Sequence, residues 1–424
     1  MKLLIKNGRV IDPESRFDEV SDILIEDGII TAIGSQLGNN DSQLETINAE
    51  GKLVIPGAID LHVHLRDFEQ GHKETIEAGT KAALKGGVTT VLAMPNTKPT
   101  LDSAENIKKY QGIIKNTSAV EVLIAGAITN GLTGSELADL ESYKNLGIKF
   151  ITDDGFDVND EELLEEVYVK AKKLEFIVAT HPEMDSIAPD GVMNEGEVSR
   201  KLEVPGQPNE KEWKAVERGI RLAKKTGARA HMTHLSTKES IDLVRQAKKE
   251  TDLITCDATP HHFMLTDKIV EKLGGIAKVN PPLRTEEDRM AVIEGIKDGT
   301  VDALITDHAP HSAEEKNTNI LKSYFGFTGL EILIPAVITE LYHNQKMDLM
   351  RITELLTVNP ANLANLGTGR IQVGKPANIT IIDLDIEKKV DSSTFVSKGK
   401  STPFDNMELK GWPIATIYRG ELSS

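Results

Sequence analysis

Pro56-Gly57-Ala58-Ile59-Asp60-Leu61-His62-Val63-His64-Leu65-Arg66 is the stretch on which the fold turns. In an extended chain Asp60, His62, His64 and Arg66 fall on one face, and Ile59, Leu61, Val63 and Leu65 on the other. This predicts a strand with its apolar face packed under helices and its polar face turned to a site. The same rhythm recurs outward from it, with short apolar strands at 59–65, 89–93, 120–125, 148–153, 176–180, 228–234, 253–257 and 303–307. Charged helical segments intervene, among them 160–174, 212–226, 238–250 and 286–298. Eight strands alternating with helices over roughly 250 residues predict an α/β fold, a (β/α)8 TIM barrel. We place that barrel at 56–366.

The two ends have another texture. Short β-type runs at 2–5, 22–25 and 29–33 are separated by the turn signals Asn7-Gly8, Asp12-Pro13 and Asp27-Gly28, and similar runs return at 379–382 and 415–418. Neither end is long enough to make a stable sheet domain alone. The economical expectation is one small β-sandwich domain assembled from both termini, 1–55 with 367–424.

Composition narrows the function. With 66 acidic against 49 basic residues, the formal charge of −17 disfavours nucleic acid and acidic membrane surfaces, so an anionic small-molecule substrate would need local basic groups. The single cysteine, Cys256, forbids an internal disulfide and a thiolate metal site, leaving nitrogen and oxygen ligands for any metal. Lys6, Asn7 and Gly8 interrupt the N-terminal apolar run before a signal-peptide core could form, and no stretch reaches membrane-spanning length. The expected location is the cytoplasm.

Nine of the eleven histidines sort into five groups, His62/His64, His181, His231/His234, His261/His262 and His308/His311, each near the C-terminal end of an expected strand. In a (β/α)8 barrel that end carries the active site. His-x-His alone describes many partly exposed strand pairs, but two imidazoles at i and i+2 can grip one metal ion, with Arg66 above them as a cationic anchor. His181 and His234 end successive strands and suit a second metal, whereas His231 reads as structural. Asp154 is the chosen bridging carboxylate, with Asp153 as the fallback. Adjacent acids before Gly155 also suit a plain turn. Asp307 follows a nearly pure apolar strand, where an acid is costly to bury unless paired or metal-bound. Four histidines and two acids make a binuclear site with room for water and substrate, and the implied chemistry is hydrolysis.

These residues carry a resemblance. Residues 56–66 are similar to the first-strand motif of the amidohydrolase superfamily. Met94-Pro95-Asn96-Thr97, Met193-Asn194-Glu195-Gly196, His234-Leu235-Ser236-Thr237, Thr259-Pro260-His261-His262, Asn280-Pro281-Pro282-Leu283-Arg284 and Asp307-His308-Ala309-Pro310-His311 resemble motifs of bacterial class I dihydroorotases. Ser401-Thr402-Pro403-Phe404 and Lys410-Gly411-Trp412-Pro413 extend the likeness nearly to the C-terminus. The resemblance implies zinc-dependent, reversible ring closure of N-carbamoyl-L-aspartate to L-dihydroorotate, the third step of pyrimidine synthesis. It implies two zinc ions, one on His62 and His64, the other on His181 and His234, with Asp154 bridging. Asp307 would bind the first zinc and shuttle the proton; Arg66, Asn96 and His311 would receive the substrate carboxylate, and Asn280 would contact the ring. A homodimer, and aspartate transcarbamoylase as a partner, are further expectations of the family.

Two departures stand out. Asp67-Phe68-Glu69-Gln70-Gly71 occupies the place of the usual Glu-Pro-Gly, and Pro182-Glu183 follows His181 where Cys-Glu-Asp is usual. Hydantoinase-type relatives bridge their metals with a carboxylated lysine on the fourth strand; by alternation Lys149 faces opposite to Asp154, and the aspartate is preferred. The alternatives are another cyclic-amide hydrolase (hydantoinase, dihydropyrimidinase or allantoinase) and a non-catalytic scaffold, which would typically have lost ligands that this chain retains.

Overall fold

The computed structural model describes residues 2–38 and 44–423. Eight strands, Ala58–Val63, Val88–Ala93, Glu121–Gly126, Phe150–Ile151, Ile177–Thr180, Arg229–Met232, Ile254–Ala258 and Ala303–Leu304, pair in parallel and in sequential order. The ring closes where Val63 bridges His308 in parallel and the His64 N–H donates to the His308 carbonyl at 2.8 Å. The (β/α)8 barrel expected from sequence is present. Its helices begin on the caps the sequence supplies: Asp160 accepts from Glu162 and Leu163 N–H, Thr237 from Ser240 N–H, and Thr285 with Asp288 forms a capping box.

The ladders are shorter than the apolar runs, for a physical reason. At the C-terminal ends of the strands, buried carboxylates take backbone N–H groups that a neighbouring strand would otherwise receive. Asp60 accepts from His62 and Thr306, Asp153 from Ile128 and Thr129, and Asp257 from His234. Strand pairing gives way to side-chain pairing where the site begins.

The first strand also departs from strict alternation. Ile59 and Leu61 share a buried cluster with Leu92, Phe150, Ile177 and Ile305 from other strands, so they lie inside the barrel, whose lower end is sealed by Ala361 and Leu363. Val63 and Leu65 instead join the main core with Ile76, Val91 and Ala93. The pairing register shifts between Asp60 and Val63, and such an irregularity exchanges the faces of the residues on either side of it. The apolar face expected to lie wholly under helices is thus divided between two cores.

The terminal strands of both ends join in one hydrogen-bonded sheet. Lys2–Asp12 pairs with Phe17–Glu26, Glu45–Asn48 and Leu53–Pro56, and Ile379–Lys389 joins the two ends of the chain by pairing antiparallel with Leu53–Pro56. Ile5, Ile23, Val54, Ile379 and Ile417 share its core. No helix among the described residues is long and apolar enough to cross a membrane.

Candidate active site

His62 and His64 leave the first strand at its C-terminal end, Asp154 follows the fourth, His181 the fifth, His234 the sixth and Asp307 the eighth. Their side chains converge. His62 Nε2 lies 3.1 Å from Asp154 Oδ1 and 3.6 Å from Asp307 Oδ1, while His64 Nε2 lies 3.5 Å from Asp154 Oδ2 and 3.1 Å from Asp307 Oδ1. Across the same aspartate, His181 Nδ1 is 3.4 Å and His234 Nε2 3.8 Å from Asp154 Oδ1, and the two ring nitrogens are 3.2 Å apart. Two ligand groups result, His62/His64/Asp154 and Asp154/His181/His234, with Asp154 common to both.

These separations suit a cation. Ligand atoms at about 2.0–2.1 Å from a tetrahedral ion lie roughly 3.4 Å from one another, in the middle of the observed distances. Both ring nitrogens of His62 and Nδ1 of His234 are buried without hydrogen-bond partners, an expensive arrangement that a bound ion relieves at the nitrogens facing it. The field also calls for positive charge. Burial opposes a proton on His62 and on His181, yet Asp154, with Asp307 beside His62 and Glu183 beside His181, pushes their pKa values up to about 9 and about 10.

The outer contacts fix the rings. His64 Nδ1–H donates to Asn96 Oδ1 at 2.8 Å, which leaves Nε2 as the ligand atom, and His181 Nε2–H donates to Glu183 at 3.0 Å, which leaves Nδ1. Glu183 is held in turn by the buried Lys211 and by the Asn280 amide, and its carboxyl sits at about 2: burial works against the charge, but His181 and Lys211 prevail. Sequence reading missed Glu183 and Lys211 as members of the site; the only hint was the acid two residues beyond His181.

Asp153 turns away from the cluster. Its carboxylate is taken up by Ile128 N–H, Thr129 N–H and the Thr129 hydroxyl, so Asp154 is the acid that faces the histidines. Gly155, with φ of +85°, lets the chain turn off directly after it. Lys149 points elsewhere, its ammonium donating to the carbonyls of Ala364 and Asn365 at 2.8 and 2.9 Å. His231 is consumed by Thr255 and Asp257, as its structural reading expected.

Above the ligands opens a cavity of about 270 Å³, whose walls include Arg66, Asn96, Asn280, His311, Phe156 and Tyr324. Arg66 is 8% exposed and its Nε has no partner. Asn96 spends its oxygen on His64 and points its nitrogen at Asp154 Oδ2, 3.3 Å away. Asn280 donates to Glu183 and leaves a buried, unpaired Oδ1. His311 donates from Nε2 to the Phe325 carbonyl at 2.8 Å; burial, with Arg66 and Lys73 nearby, lowers its pKa to about 3. It is therefore a neutral wall, and Arg66 is the charged one. Arg66, His234 and Asp307 all have left-handed backbones, with φ of +53°, +39° and +49°, strain of a kind that concentrates at functional sites.

Comparisons with known proteins agree with this geometry. Residues 51–240 match a family model described as Dihydro-orotase-like. A dihydroorotase of Halalkalibacterium halodurans is 43% identical, the match covering 100% of this chain and 98% of that protein; one of Elusimicrobium minutum is 41% identical, covering 100% and 97%. Among solved structures, an L-hydantoinase (dihydropyrimidinase) from Arthrobacter aurescens superposes with a TM-score of 0.89 at 26% identity, over 99% of this chain and 95% of that one. The solved fold is shared with hydantoinases, but the end-to-end sequence likeness is to dihydroorotases, and Lys149 lies away from the ligand cluster: the chain belongs to the dihydroorotase family.

Proposed function

We propose that this protein interconverts L-dihydroorotate and N-carbamoyl-L-aspartate in the cytoplasm, as a step of pyrimidine synthesis, with two zinc ions per chain held by His62, His64, Asp154, His181, His234 and Asp307. The single observation that carries the reading is the convergence of both ligand groups on Asp154 beneath a cavity whose one unpartnered guanidinium is Arg66. When bound, a pair of divalent ions supplies an activated water at neutral pH and polarises the amide carbonyl.

The chain's own residues do the rest. Arg66 receives the substrate carboxylate in a charge-assisted fork, with neutral His311 and Asn96 shaping the rim of that pocket. The unpaired Asn280 Oδ1 accepts a ring N–H. In hydrolysis an O–C bond forms between water and the ring carbonyl carbon. Asp307 takes the proton that water sheds and delivers it to the amide nitrogen as the C–N bond breaks; ring closure runs the same transfers backwards. The barrel at 56–366 supplies this chemistry, and 1–55 with 367–424 form the accessory β-domain. A homodimer and an association with aspartate transcarbamoylase complete the family reading. Turnover compared on dihydroorotate, dihydrouracil, hydantoin and allantoin tests it: strong preference for dihydroorotate is expected, and preference for an uncharged ring would transfer the protein to the hydantoinase class.

A further inference from the structure

Ser401-Thr402-Pro403-Phe404 has no role in the chemistry above, yet the segment leading into it runs beside the site. Ser397 and Lys398 meet the carboxylate of Glu74, which is fully buried. The Ser397 hydroxyl donates to Glu74 Oε2, and Lys398 N–H donates to both oxygens at 3.3 and 3.2 Å. Gly399 and Ser401 continue the strap, their carbonyls receiving the Thr328 hydroxyl at 3.0 Å and the Thr328 N–H at 2.8 Å.

Glu74 stands between the two sides of the pocket. Its backbone carbonyl accepts from Asp67 N–H, the residue after Arg66. Its Oε2 lies 3.5 Å from Nε2 of His308, the residue after Asp307. His308 Nδ1 faces the N–H groups of Gly329 and Leu330 at 3.2 and 3.4 Å, so its proton is on Nε2, toward Glu74. The Arg66 side is itself under tension, because Arg66, Asp67 and Phe68 have three consecutive left-handed backbones, with φ of +53°, +62° and +46°. Such a run persists only where its surroundings over-determine it. Asp67 supplies part of that constraint by accepting from Phe68 and Ile76 N–H at 2.8 and 3.0 Å. Glu74 and the strap supply the rest.

We infer that Glu74 is a positioning residue that aims Arg66 at the substrate carboxylate, and that the C-terminal segment 396–401 holds Glu74 in place through Ser397. This rests on the functional reading above. The smallest change is Ser397→Ala at this buried position, which removes one donor from Glu74 and leaves the Lys398 and Thr75 N–H groups in place. Misplacement of a binding group by a fraction of an ångström should raise KM for dihydroorotate, and weaken orotate binding measured by calorimetry on the metal-loaded protein, roughly tenfold. Metal content should stay at the wild-type value, kcat should change less than KM, and Ser397→Thr, which keeps the hydroxyl, should restore both constants. Glu74→Gln should repeat the KM effect. A Ser397→Ala protein with lowered melting temperature but wild-type KM and orotate affinity would overturn the inference, reducing Glu74 to a structural tie. Absence of dihydroorotate turnover in the wild-type protein would instead overturn the functional reading, and this inference with it.

Discussion

Arg66 and Asp307 occupy adjoining walls of one cavity and have opposite tasks. Arg66 cannot coordinate a cation, and Nε has no protein partner, so its charge is available to the substrate. Replacement by Met should lower kcat/KM for dihydroorotate by about 2–4 kcal/mol, as for truncating one partner of a buried charge pair, while metal content measured by emission spectroscopy stays constant. Asp307→Asn keeps the shape and removes the proton carrier; kcat should fall by roughly 10²–10⁴-fold with the far-ultraviolet dichroism unchanged. Hydrolysis needs Asp307 ionised and ring closure needs it protonated. Rates measured in both directions should therefore mirror each other, hydrolysis failing in acid and closure in alkali. If the Asn variant kept near wild-type kcat with full metal, another group would be moving the proton.

Elements, not single residues, decide how these groups are held. The loop after the first strand and the loop after the eighth are clasped by Lys73 and Glu315, 2.8 Å apart, beside Tyr324 at the pocket mouth. Burial opposes the Glu315 charge, but Lys73 and the Ser312 N–H hold its carboxyl down at about 2, below the ordinary 4.5. A carboxyl whose folded pKa is depressed stabilises the fold above the unfolded value and loses that contribution as pH falls through the folded one. The Glu315→Gln protein should accordingly melt below wild type at pH 7, and the gap should shrink between pH 4.5 and pH 2 in calorimetric scans. A gap independent of pH would assign the effect to packing. At this scale much was legible in sequence, because strand periodicity and caps such as Asp160 and Thr285 are local. The register shift in the first strand was not, since it depends on Asp60 reaching Thr306 across 246 residues of chain. Nor was Glu183, whose meaning comes from Lys211 and Asn280, distant in sequence.

For the whole molecule, a chain of charge −17 must concentrate its cationic groups to accept an anionic substrate, and it does so with Arg66 in the cavity and Lys73 at its mouth. The same economy places Asp154, Asp307 and four histidines around one point, where buried acids call for positive charge. The closing of the barrel at Val63 and His308, and the sheet that unites both termini, hold that point rigid. The most direct test is metal content measured together with dihydroorotate turnover, before chelation, after it, and after zinc is restored. The account predicts close to two divalent ions per chain, loss of activity with the metal, and recovery with zinc; a metal-free protein that still turned over dihydroorotate would contradict it.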